Sequence, residues 1–299
     1  MDTPRVIGVD VGGTKILAGV LDPSGRVHAR HEVPTPTASQ DALLEGLAEA
    51  VAAVFDGGVE ALGFGVPSVV DPGTGVSLGS INIPLAGVSV ANVMAGRFGV
   101  PAAVENDASA AALGEWRVGA GGGEDLVMLT LGTGVGGGIV QGGRLVRGWT
   151  ELGHLVVRAD GPPCQGACTG RGHLEALASG SAADRAAEEL WGPGATAEQL
   201  VDRARAGDAA AVAALAAIGR LLGAAIGSLV NVFGIQLFVV GGGFGSAAAD
   251  FLFPPALEAA RRESLAPGRG VRLQAAELGA DAGLVGAGFV ALGALDRAA

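Results

Sequence analysis

The chain has 299 residues, of which 49% are hydrophobic and 16% charged, and it contains 53 glycines but no tyrosine. Its net charge of −11 argues against nucleic acid as a partner, because phosphate backbones are bound by clustered Lys and Arg. The glycines follow no triplet period and aliphatic residues are abundant, which excludes collagen-like and disordered chains. At roughly 100–200 residues per domain, this length indicates two domains.

Two features indicate a cytoplasmic protein without a membrane span. The two cysteines are too few for a disulfide framework, and no apolar signal stretch precedes the first predicted strand. Leu221–Ala249 lacks charge and is long enough to cross roughly 30 Å of hydrocarbon, but Asn231 and Gly241–Gly243 interrupt it. A buried helix ending near Asn231, followed by a buried strand Ile235–Val240, explains this run better.

The first third of the chain alternates predicted strands and helices. Apolar and β-branched runs separated by Gly and Pro predict a strand, and apolar residues at helical spacing predict a helix. The predicted strands are Arg5–Val11, Ile16–Leu21, Val27–Val33, Ala61–Val66 and Ala102–Glu105. The predicted helices are Ala42–Phe55, Ala91–Phe98 and Ala108–Arg117.

The opening pattern of strand, glycine-rich turn, strand, turn and strand recurs about 120 residues later, as Leu126–Leu131, Gly136–Val140 and Arg144–Val146. Such a repeat predicts two related α/β domains that face each other across a cleft, where small ligands usually bind. After an irregular segment, Glu151–Gly180, the remaining predicted elements are mostly alanine-rich helices. These elements are helices Ala182–Leu190, Ala197–Ala206 and Ala209–Leu229, strand Ile235–Val240, and helices Ala247–Arg262 and Ala282–Ala294.

A first glycine loop, Asp10-Val11-Gly12-Gly13-Thr14-Lys15, follows the first strand. Gly12 and Gly13 allow backbone N–H groups to approach an anion, and Thr14 and Lys15 add a hydroxyl and a charge. Asp10 suits a hydrated divalent cation. The alternative is an ordinary β-hairpin turn. That the only lysine of the chain lies here favours phosphate binding.

Two further glycine loops also follow apolar strands. The loop containing Gly132, Thr133, Gly134 and Gly136 includes a formal G-x-G-x-x-G, but a hairpin rather than a helix follows, which argues against a dinucleotide site. We interpret it as a second phosphate loop that mirrors the first. The third cluster, Gly241, Gly242 and Gly243, lies between a strand and a helix, where it can admit a nucleotide base or ribose or serve only as a turn.

Both cysteines and two of the four histidines lie close together, as His154, Cys164, Cys168 and His173. Four such ligands within twenty residues suit a tetrahedral, structural zinc ion with no open position. The alternatives are a disulfide between Cys164 and Cys168, or unrelated thiols beside surface histidines. Zinc is favoured, because metal binding supplies folding free energy to a loop that lacks a core of its own.

Five motifs in order give the chain a family resemblance. They are Asp10–Lys15, Glu105-Asn106-Asp107-Ala108, Leu131–Gly136, Glu151-Leu152-Gly153-His154 and Gly172-His173-Leu174-Glu175. The glycine loops resemble those of the ATPase domain shared by sugar kinases, actin and Hsp70-type chaperones. Together the motifs resemble the ROK family (repressors, open reading frames and kinases), most closely its bacterial glucokinases, over essentially the whole chain.

The resemblance implies an α/β fold of the two-domain actin-like ATPase (ribonuclease H-like) type with an interdomain cleft. It places residues 1–117 in an N-terminal domain, which the C-terminal helix at 282–299 joins, and 118–281 in a C-terminal domain with the zinc loop. It also implies phosphorylation of a hexose, glucose first, at the 6-hydroxyl by ATP and Mg²⁺. The loops at Gly12–Lys15 and Gly132–Gly136 would hold the phosphates, and Gly241–Gly243 would border the adenosine.

The same resemblance assigns the sugar site. Asp107 matches the aspartate that takes the proton from the 6-hydroxyl, although an Asp before a helix is also a common N-cap. Ser68 stands where many relatives have Gly, which changes contacts near the anomeric end. The sugar ligands implied, with Asp107, are Asn82, Asn106, Glu151, His154 and Glu175. Glu151 has an alternative interpretation as a solvated loop carboxylate.

The resemblance bears on the metal cluster and on the assembly as well. Relatives commonly have C-x-C followed by a further Cys, whereas this chain has a wider first gap and His173 in place of the third cysteine. His154 would bind zinc with one ring nitrogen and a sugar hydroxyl with the other. Homodimers or homotetramers are usual in the family.

Rival functions remain at this point. Fructose, mannose or an N-acetylhexosamine are alternative acceptors, and polyphosphate is an alternative donor that the net charge of −11 does not favour. A non-catalytic, sugar-sensing repressor of the family would carry an added helix-turn-helix, and no basic recognition helix is visible. A chaperone-like ATPase would lack Glu151, His154 and the cluster, and would hydrolyse ATP without sugar.

Overall fold

The computed structural model describes residues 3–265 and 270–298, and the chain forms two compact units. The first unit contains Met1–Gly123, Gly138–Thr150 and Ala280–Ala299, and the second contains Glu124–Gly137 and Glu151–Gly279. These ranges differ from the expected ones chiefly at 138–150, which belong to the first unit by their contacts. Residues 1, 2, 266–269 and 299 of the expected ranges lie outside the described residues.

The first unit is built on a five-stranded sheet. The seven strands described up to Asn106 are, in chain order, β1 (Arg5–Val11), β2 (Lys15–Leu21), β3 (Val27–Pro34), β4 (Val59–Val66), β5 (Val69–Val70), β6 (Ser77–Gly79) and β7 (Ala102–Asn106). The main sheet has the order β3-β2-β1-β4-β7, and β5 and β6 form a separate hairpin. β1, β2 and β3 pair antiparallel as the predicted meander, while β4 and β7 add in parallel.

A second five-stranded sheet repeats this topology. Its strands are β8 (Leu126–Leu131), β9 (Val135–Gln141), β10 (Arg144–Leu145), β11 (Leu237–Gly241) and β12 (Arg272–Ala275). Their order, β10-β9-β8-β11-β12, is that of the first sheet, with β8, β9 and β10 in the places of β1, β2 and β3. The weak sequence repeat therefore reflects a duplicated sheet.

Ten helices are described, and polar side chains cap many of their N-termini. They are α1 (Gln40–Ala52), α2 (Val90–Phe98), α3 (Asp107–Val118), α4 (Leu174–Ala178), α5 (Gly180–Trp191), α6 (Ala197–Arg205), α7 (Ala209–Phe233), α8 (Gly243–Ala247), α9 (Ala249–Glu263) and α10 (Ala282–Ala298). Ser39, Ser89, Ser179 and Asp208 accept hydrogen bonds from N–H groups of the first turns of α1, α2, α5 and α7. Thr196 and Gln199 form a reciprocal capping box at α6.

The helix predicted around Ala247–Arg262 is present as α9, which begins two residues later than expected and ends one residue later. Ala248, with a φ of −102° and a ψ of 6°, separates α9 from the short helix α8, which no prediction included. The strand β12 was likewise not predicted, and its four residues are largely exposed.

Aliphatic side chains of the sheet and helices fill the core of the first unit. Ile7 and Val9 of β1 and Phe64 of β4 are fully buried, with Leu47 of α1 and Met94 of α2 packed in the same cluster. α10 packs on β1, β4 and α3. This packing places one end of α10 near the ends of β1 and α3, where several predicted site residues lie.

Among the residues that the structure describes, two helices are long and apolar enough to cross a membrane by length and composition. They are Ala209–Phe233 and Gly279–Arg297, whose most apolar stretches are 44% and 56% buried inside the protein. Core helices that pack on their neighbours meet the same criteria, and α7 packs extensively along α9. These two helices are therefore weak evidence of a membrane protein.

Candidate active site

The first glycine loop connects β1 to β2 and lies at the end of β1. Gly12 donates its N–H to the carbonyl of Lys15 at 2.9 Å, and the hydroxyl of Thr35 donates to the Gly12 carbonyl at 2.7 Å. These bonds hold a tight loop, so the hairpin and phosphate-loop interpretations describe the same backbone. Lys15 Nζ lies 2.8 Å from Glu32 Oε2 of β3, in an exposed ion pair.

Asp107 is the first residue of α3 and is not its N-cap. The cap is Asn106, whose Oδ1 accepts from the N–H of Ser109 at 3.1 Å while its Nδ2 lies 3.4 Å from the Ser68 carbonyl. The Asp107 carboxylate accepts from the adjacent N–H of Ala108 at 2.8 Å. The capping interpretation of Asp107 is therefore wrong, and a different residue performs that role.

Asp10, near the end of β1, and Asp107, at the start of α3 after β7, lie at the same edge of the first sheet, where β1, β4 and β7 end. Asp10 pairs in register with Gly65 of β4, and Gly65 pairs with Glu105 of β7, two residues before Asp107. A Cβ built on Gly65 would lie 3.5 Å from the Cα of Asp107. The parallel strands thus bring the two predicted functional carboxylates together from distant parts of the chain.

The electrostatics of this edge favour protonated carboxyl groups. The pKa of Asp10 is raised to about 6, chiefly by burial and also by the negative charge of Asp107, while Lys15 lowers it in part. Burial also raises the pKa of Asp107, against hydrogen bonds from Ala108 and Asn106 that lower it. A divalent cation would offset this desolvation and like-charge repulsion, so the site fits Mg²⁺.

Two other predicted positions near the sugar lie in the first unit. Asn82 is exposed and borders the first glycine loop, because a Cβ on Gly13 would lie 3.7 Å from the Asn82 Cβ. Ser68 is buried, and its hydroxyl donates to the Gly79 carbonyl at 2.9 Å. The Ser68 hydroxyl is thus engaged within the β5–β6 hairpin, while its carbonyl contacts Asn106.

The second and third glycine loops meet at the ends of adjacent parallel strands. Gly241 of β11 pairs with Thr130 of β8, which places Gly242 against Leu131, the residue before the second loop. Gly242 has a φ of +82°, and a Cβ there would lie 2.5 Å from the Leu131 carbonyl oxygen. Only glycine fits this position without displacing the backbone. The predicted nucleotide loops of the second unit are therefore neighbours.

The remaining sugar-ligand candidates lie around Leu152–His154, a single turn of 3₁₀-helix, and at the start of α4. Glu151 precedes that turn and is exposed, and its carbonyl accepts from the His154 N–H at 3.0 Å. Glu175 lies in the first turn of α4, and its Oε2 accepts from the Val135 N–H at 3.0 Å. Glu175 thus contacts the second glycine loop directly, which its sequence position did not reveal.

The four predicted metal ligands converge. One ligand atom from each of His154, Cys164, Cys168 and His173 lies within 4.8 Å of all the others. Nδ1 of His154 is 3.2 Å from Nδ1 of His173, and each Nδ1 is 3.7 Å from the sulfur of one cysteine. A tetrahedral zinc ion with ordinary bond lengths requires about 3.3 Å between two nitrogens and about 3.6 Å between nitrogen and sulfur.

The chemistry of this donor set also fits a cation. Both cysteines are free thiols, so the alternative of a disulfide is wrong. The pKa of the Cys164 thiol is raised to about 11, chiefly by burial and also by neighbouring Cys168 and Glu175. A metal-bound thiol is deprotonated, so a bound Zn²⁺ reverses this penalty. The wider cysteine spacing and His173 are thus compatible with a four-ligand centre.

Three further residues contact the predicted site residues, and no sequence motif marks them. Glu32 forms the ion pair with Lys15. Gly283, near the start of α10, packs on Asp10, and a Cβ built on Gly283 would lie 2.6 Å from the Asp10 carboxyl carbon. Gln165, between the two cysteines, approaches the second glycine loop. All three act through contacts distant in sequence.

Comparison with known proteins identifies the family. The model of the ROK family matches residues 6–294. A glucokinase of Streptomyces coelicolor is 35% identical over 95% of this chain and 96% of its own length, and an N-acetylmannosamine kinase of Escherichia coli is 30% identical over 96% and 98%.

Solved structures agree with this match. A ROK glucokinase of Streptomyces griseus in complex with glucose and AMPPNP is 36% identical, with a TM-score of 0.81 over 97% of this chain and 99% of that one. A ROK hexokinase of Thermus thermophilus is 37% identical, with a TM-score of 0.84 over 98% and 99%. The predicted two-domain, actin-like α/β fold is confirmed, and the chain belongs to the ROK family.

Proposed function

We propose that this ATP-dependent sugar kinase phosphorylates a hexose at its 6-hydroxyl, with glucose as the preferred acceptor. The observation that carries the proposal is the placement of Asp107. Asn106 rather than Asp107 caps α3, and Asp107 lies half-buried at the same edge of the sheet as Asp10. The similarity to glucokinases of about 35% identity supports glucose.

In the proposed reaction, the Asp107 carboxylate accepts the proton of the 6-hydroxyl as the sugar oxygen attacks the γ-phosphorus of ATP. The bond from that phosphorus to the β–γ bridging oxygen breaks, and ADP leaves. The raised pKa of Asp107 is closer to physiological pH than that of an ordinary aspartate, which makes its carboxylate a better base for this proton transfer. Mg²⁺, when bound, neutralises charge on the phosphates, and Asp10 would orient its hydration shell.

The other assignments follow from the same proposal. Gly12–Lys15 and Gly132–Gly136 would bind the phosphates through backbone N–H groups, and Gly241–Gly243 would border the adenosine. Asn82, Asn106, Glu151, His154 and Glu175 would bind sugar hydroxyls, since each hydroxyl both donates and accepts. His154, Cys164, Cys168 and His173 would hold a structural Zn²⁺, with Nδ1 of His154 on the metal and Nε2 directed at the sugar.

An N-acetylhexosamine is the second candidate acceptor. The Escherichia coli N-acetylmannosamine kinase that is 30% identical to this chain supports it. The engagement of the buried Ser68 hydroxyl by the Gly79 carbonyl leaves the acceptor preference to other side chains. Fructose and mannose are further acceptors to test, and polyphosphate is the alternative donor.

A coupled assay of ADP release tests the function. Wild-type protein with Mg·ATP should release ADP only when a hexose is present, with the highest kcat/KM for glucose among glucose, fructose, mannose and N-acetylhexosamines. Asp107→Ala should lower kcat at least about 100-fold, as expected for loss of a general base.

Asp41→Ala is the matched control, because Asp41 also lies in the first turn of a helix, α1, and is exposed. Its kcat should equal that of the wild type. Release of ADP without sugar would overturn the assignment as a sugar kinase. Near-normal turnover by a folded Asp107→Ala variant would remove the assignment of the base.

A further inference from the structure

The segment between the two cysteines contacts the second glycine loop through Gln165. Its Nε2 lies 3.1 Å from the Ser179 hydroxyl, 3.4 Å from the Glu175 carbonyl and 3.5 Å from the Thr133 carbonyl. Gln165 follows Cys164 immediately, so the ligand and the amide share one backbone segment. Any displacement of Cys164 is therefore transmitted to the contacts of Gln165.

Glu175 makes a second connection between the cluster and the loop. Its Oε2 accepts from the Val135 N–H at 3.0 Å, and its Oε1 lies 3.9 Å from the sulfur of Cys164. The carboxylate packs on Gly134 so closely that a Cβ there would collide with it. His173, two residues before Glu175, is the N-cap of α4, so a metal ligand also sets the start of the helix that carries Glu175.

A third set of bonds holds the same loop without involving the cluster. The Gly180 N–H donates to the Gly132 carbonyl at 2.7 Å, and the Ser181 hydroxyl donates to the Thr133 carbonyl at 2.9 Å. Both donors lie in the first turn of α5. Gly180 and Ser181 therefore hold the loop from α5, whereas Gln165 and Glu175 hold it from positions next to the metal ligands Cys164 and His173.

We infer that Gln165 and Glu175 connect the Cys/His cluster to the second glycine loop. A bound zinc ion thereby raises the affinity of this protein for the ATP phosphates even without sugar. The inference builds on the proposed function, which assigns the loop to phosphates and the cluster to zinc. Gln165 acts here as a positioning residue. The coupling is reciprocal, so the nucleotide must raise the affinity for zinc by the same factor.

Equilibrium binding without sugar and without turnover tests this coupling. The dissociation constant of Mg·AMPPNP is measured by calorimetry with zinc-loaded and chelator-treated protein, and that of zinc with and without AMPPNP. Zinc should strengthen AMPPNP binding at least about 5-fold, the lower range of allosteric coupling, and AMPPNP should strengthen zinc binding equally. Circular dichroism verifies that the zinc-free protein remains folded.

Gln165→Ala isolates the connection, because it leaves all four metal ligands in place. With one zinc bound per chain, it should weaken AMPPNP binding about 2- to 10-fold, as expected for loss of one hydrogen-bonded contact. Gln199→Ala is the matched control, since Gln199 belongs to the capping box of α6 and should leave both constants unchanged.

The outcomes separate this inference from the proposed function. A protein that phosphorylates a hexose but binds AMPPNP equally with and without zinc overturns the coupling alone. Wild-type coupling in Gln165→Ala overturns the role of Gln165. A zinc-loaded protein that neither binds AMPPNP nor phosphorylates any hexose overturns the proposed function, and the coupling with it.

Discussion

Asp10 shows how one carboxylate becomes sensitive to pH through its surroundings. Its pKa rises to about 6 chiefly because burial removes water from the carboxylate, and the charge of Asp107 adds to the effect. Folded Asp10 thus binds its proton more tightly than unfolded Asp10, whose pKa is about 4. The resulting stabilisation is fully present below about pH 4 and is lost as the pH rises to about 6.

We therefore expect Asp10→Asn to change the pH dependence of unfolding in Mg²⁺-free buffer. Between pH 4 and 7 the free energy of unfolding of the wild type should decrease, relative to the variant, by about 2 kcal/mol, since two pKa units correspond to about 3 kcal/mol and part of this is already lost at pH 4. Urea titrations at several pH values measure it. Burial also raises the pKa values of Asp107 and Glu105, but both proteins share these groups. Parallel curves for wild type and variant would contradict the raised pKa.

Asn106 and Lys15 show the same dependence on neighbours. The family resemblance implies that Asn106 binds the sugar, and in the structure Asn106 also caps α3 and bonds to the Ser68 carbonyl. The first glycine loop predicts that Lys15 binds phosphate, and in the structure Lys15 pairs with Glu32. An exposed pair of this kind contributes little to stability, so a phosphate can replace Glu32 at little cost.

At the scale of elements, α10 approaches the first sheet and α3 through small residues. A Cβ on Gly8 of β1 or Gly63 of β4 would collide with the backbone of α10, and one on Gly114 of α3 would lie 2.9 Å from the Ala282 carbonyl. The absence of side chains lets the backbones touch, which fixes the helix within a fraction of an ångström. Asp10 and α3, which carries Asp107, share this packing.

Gly283→Ala tests what α10 does for the site. The new methyl group would meet the Asp10 carboxyl carbon at 2.6 Å, so the carboxylate must move. We expect kcat with saturating Mg·ATP and glucose to decrease at least about 10-fold, because displacements of about 1 Å in catalytic geometry have effects of up to about 100-fold. The melting temperature should change little, since alanine favours the helix by about 1 kcal/mol and opposes the strain.

Gly293→Ala in the same helix is the matched control for that variant. Its Cβ would approach only the Arg297 guanidinium, at 3.7 Å, which is ordinary contact. It should retain full kcat and gain up to about 1 kcal/mol in stability from helix propensity. Equal kcat values for the two variants would show that α10 does not constrain Asp10.

For the whole molecule, the metal cluster is expected to support both stability and sugar binding. The described segment between His154 and α4 contains no helix or strand, and its isolated bridges, Val156↔His173 and Pro163↔Arg171, join parts of the same segment. Metal binding supplies the free energy that such a segment lacks. Chelation should therefore lower the melting temperature and weaken glucose binding, because His154 would lose the partner that fixes its ring.

Scanning calorimetry and glucose titration, before and after chelation and after zinc is restored, measure this effect. His173→Ala should reproduce the chelated state. His28→Ala is the control and should not, because His28 lies outside the cluster and pairs with Asp22 at 2.7 Å. Unchanged glucose affinity in zinc-free, folded protein would contradict the link between metal and sugar.

The expected homodimer or homotetramer and the cytoplasmic location stay predictions.

The sequence by itself determined the features that depend on neighbouring residues. Alternation of apolar strands with glycine turns predicted β1 to β3 and their repetition in β8 to β10, because strand and turn preferences act over a few residues. The spacing of His154, Cys164, Cys168 and His173 predicted a cluster, because their separation along the chain is short.

Only the tertiary structure decided the contacts between distant segments. Asn106 rather than Asp107 caps α3, Glu175 and Gln165 contact the second glycine loop, and Gly283 lies against Asp10. No periodicity encodes such pairs, because they form only when separate elements pack and each residue competes for partners with others far away in the chain. Packing therefore assigned to each carboxylate, amide and glycine of the site the neighbours that set its chemistry.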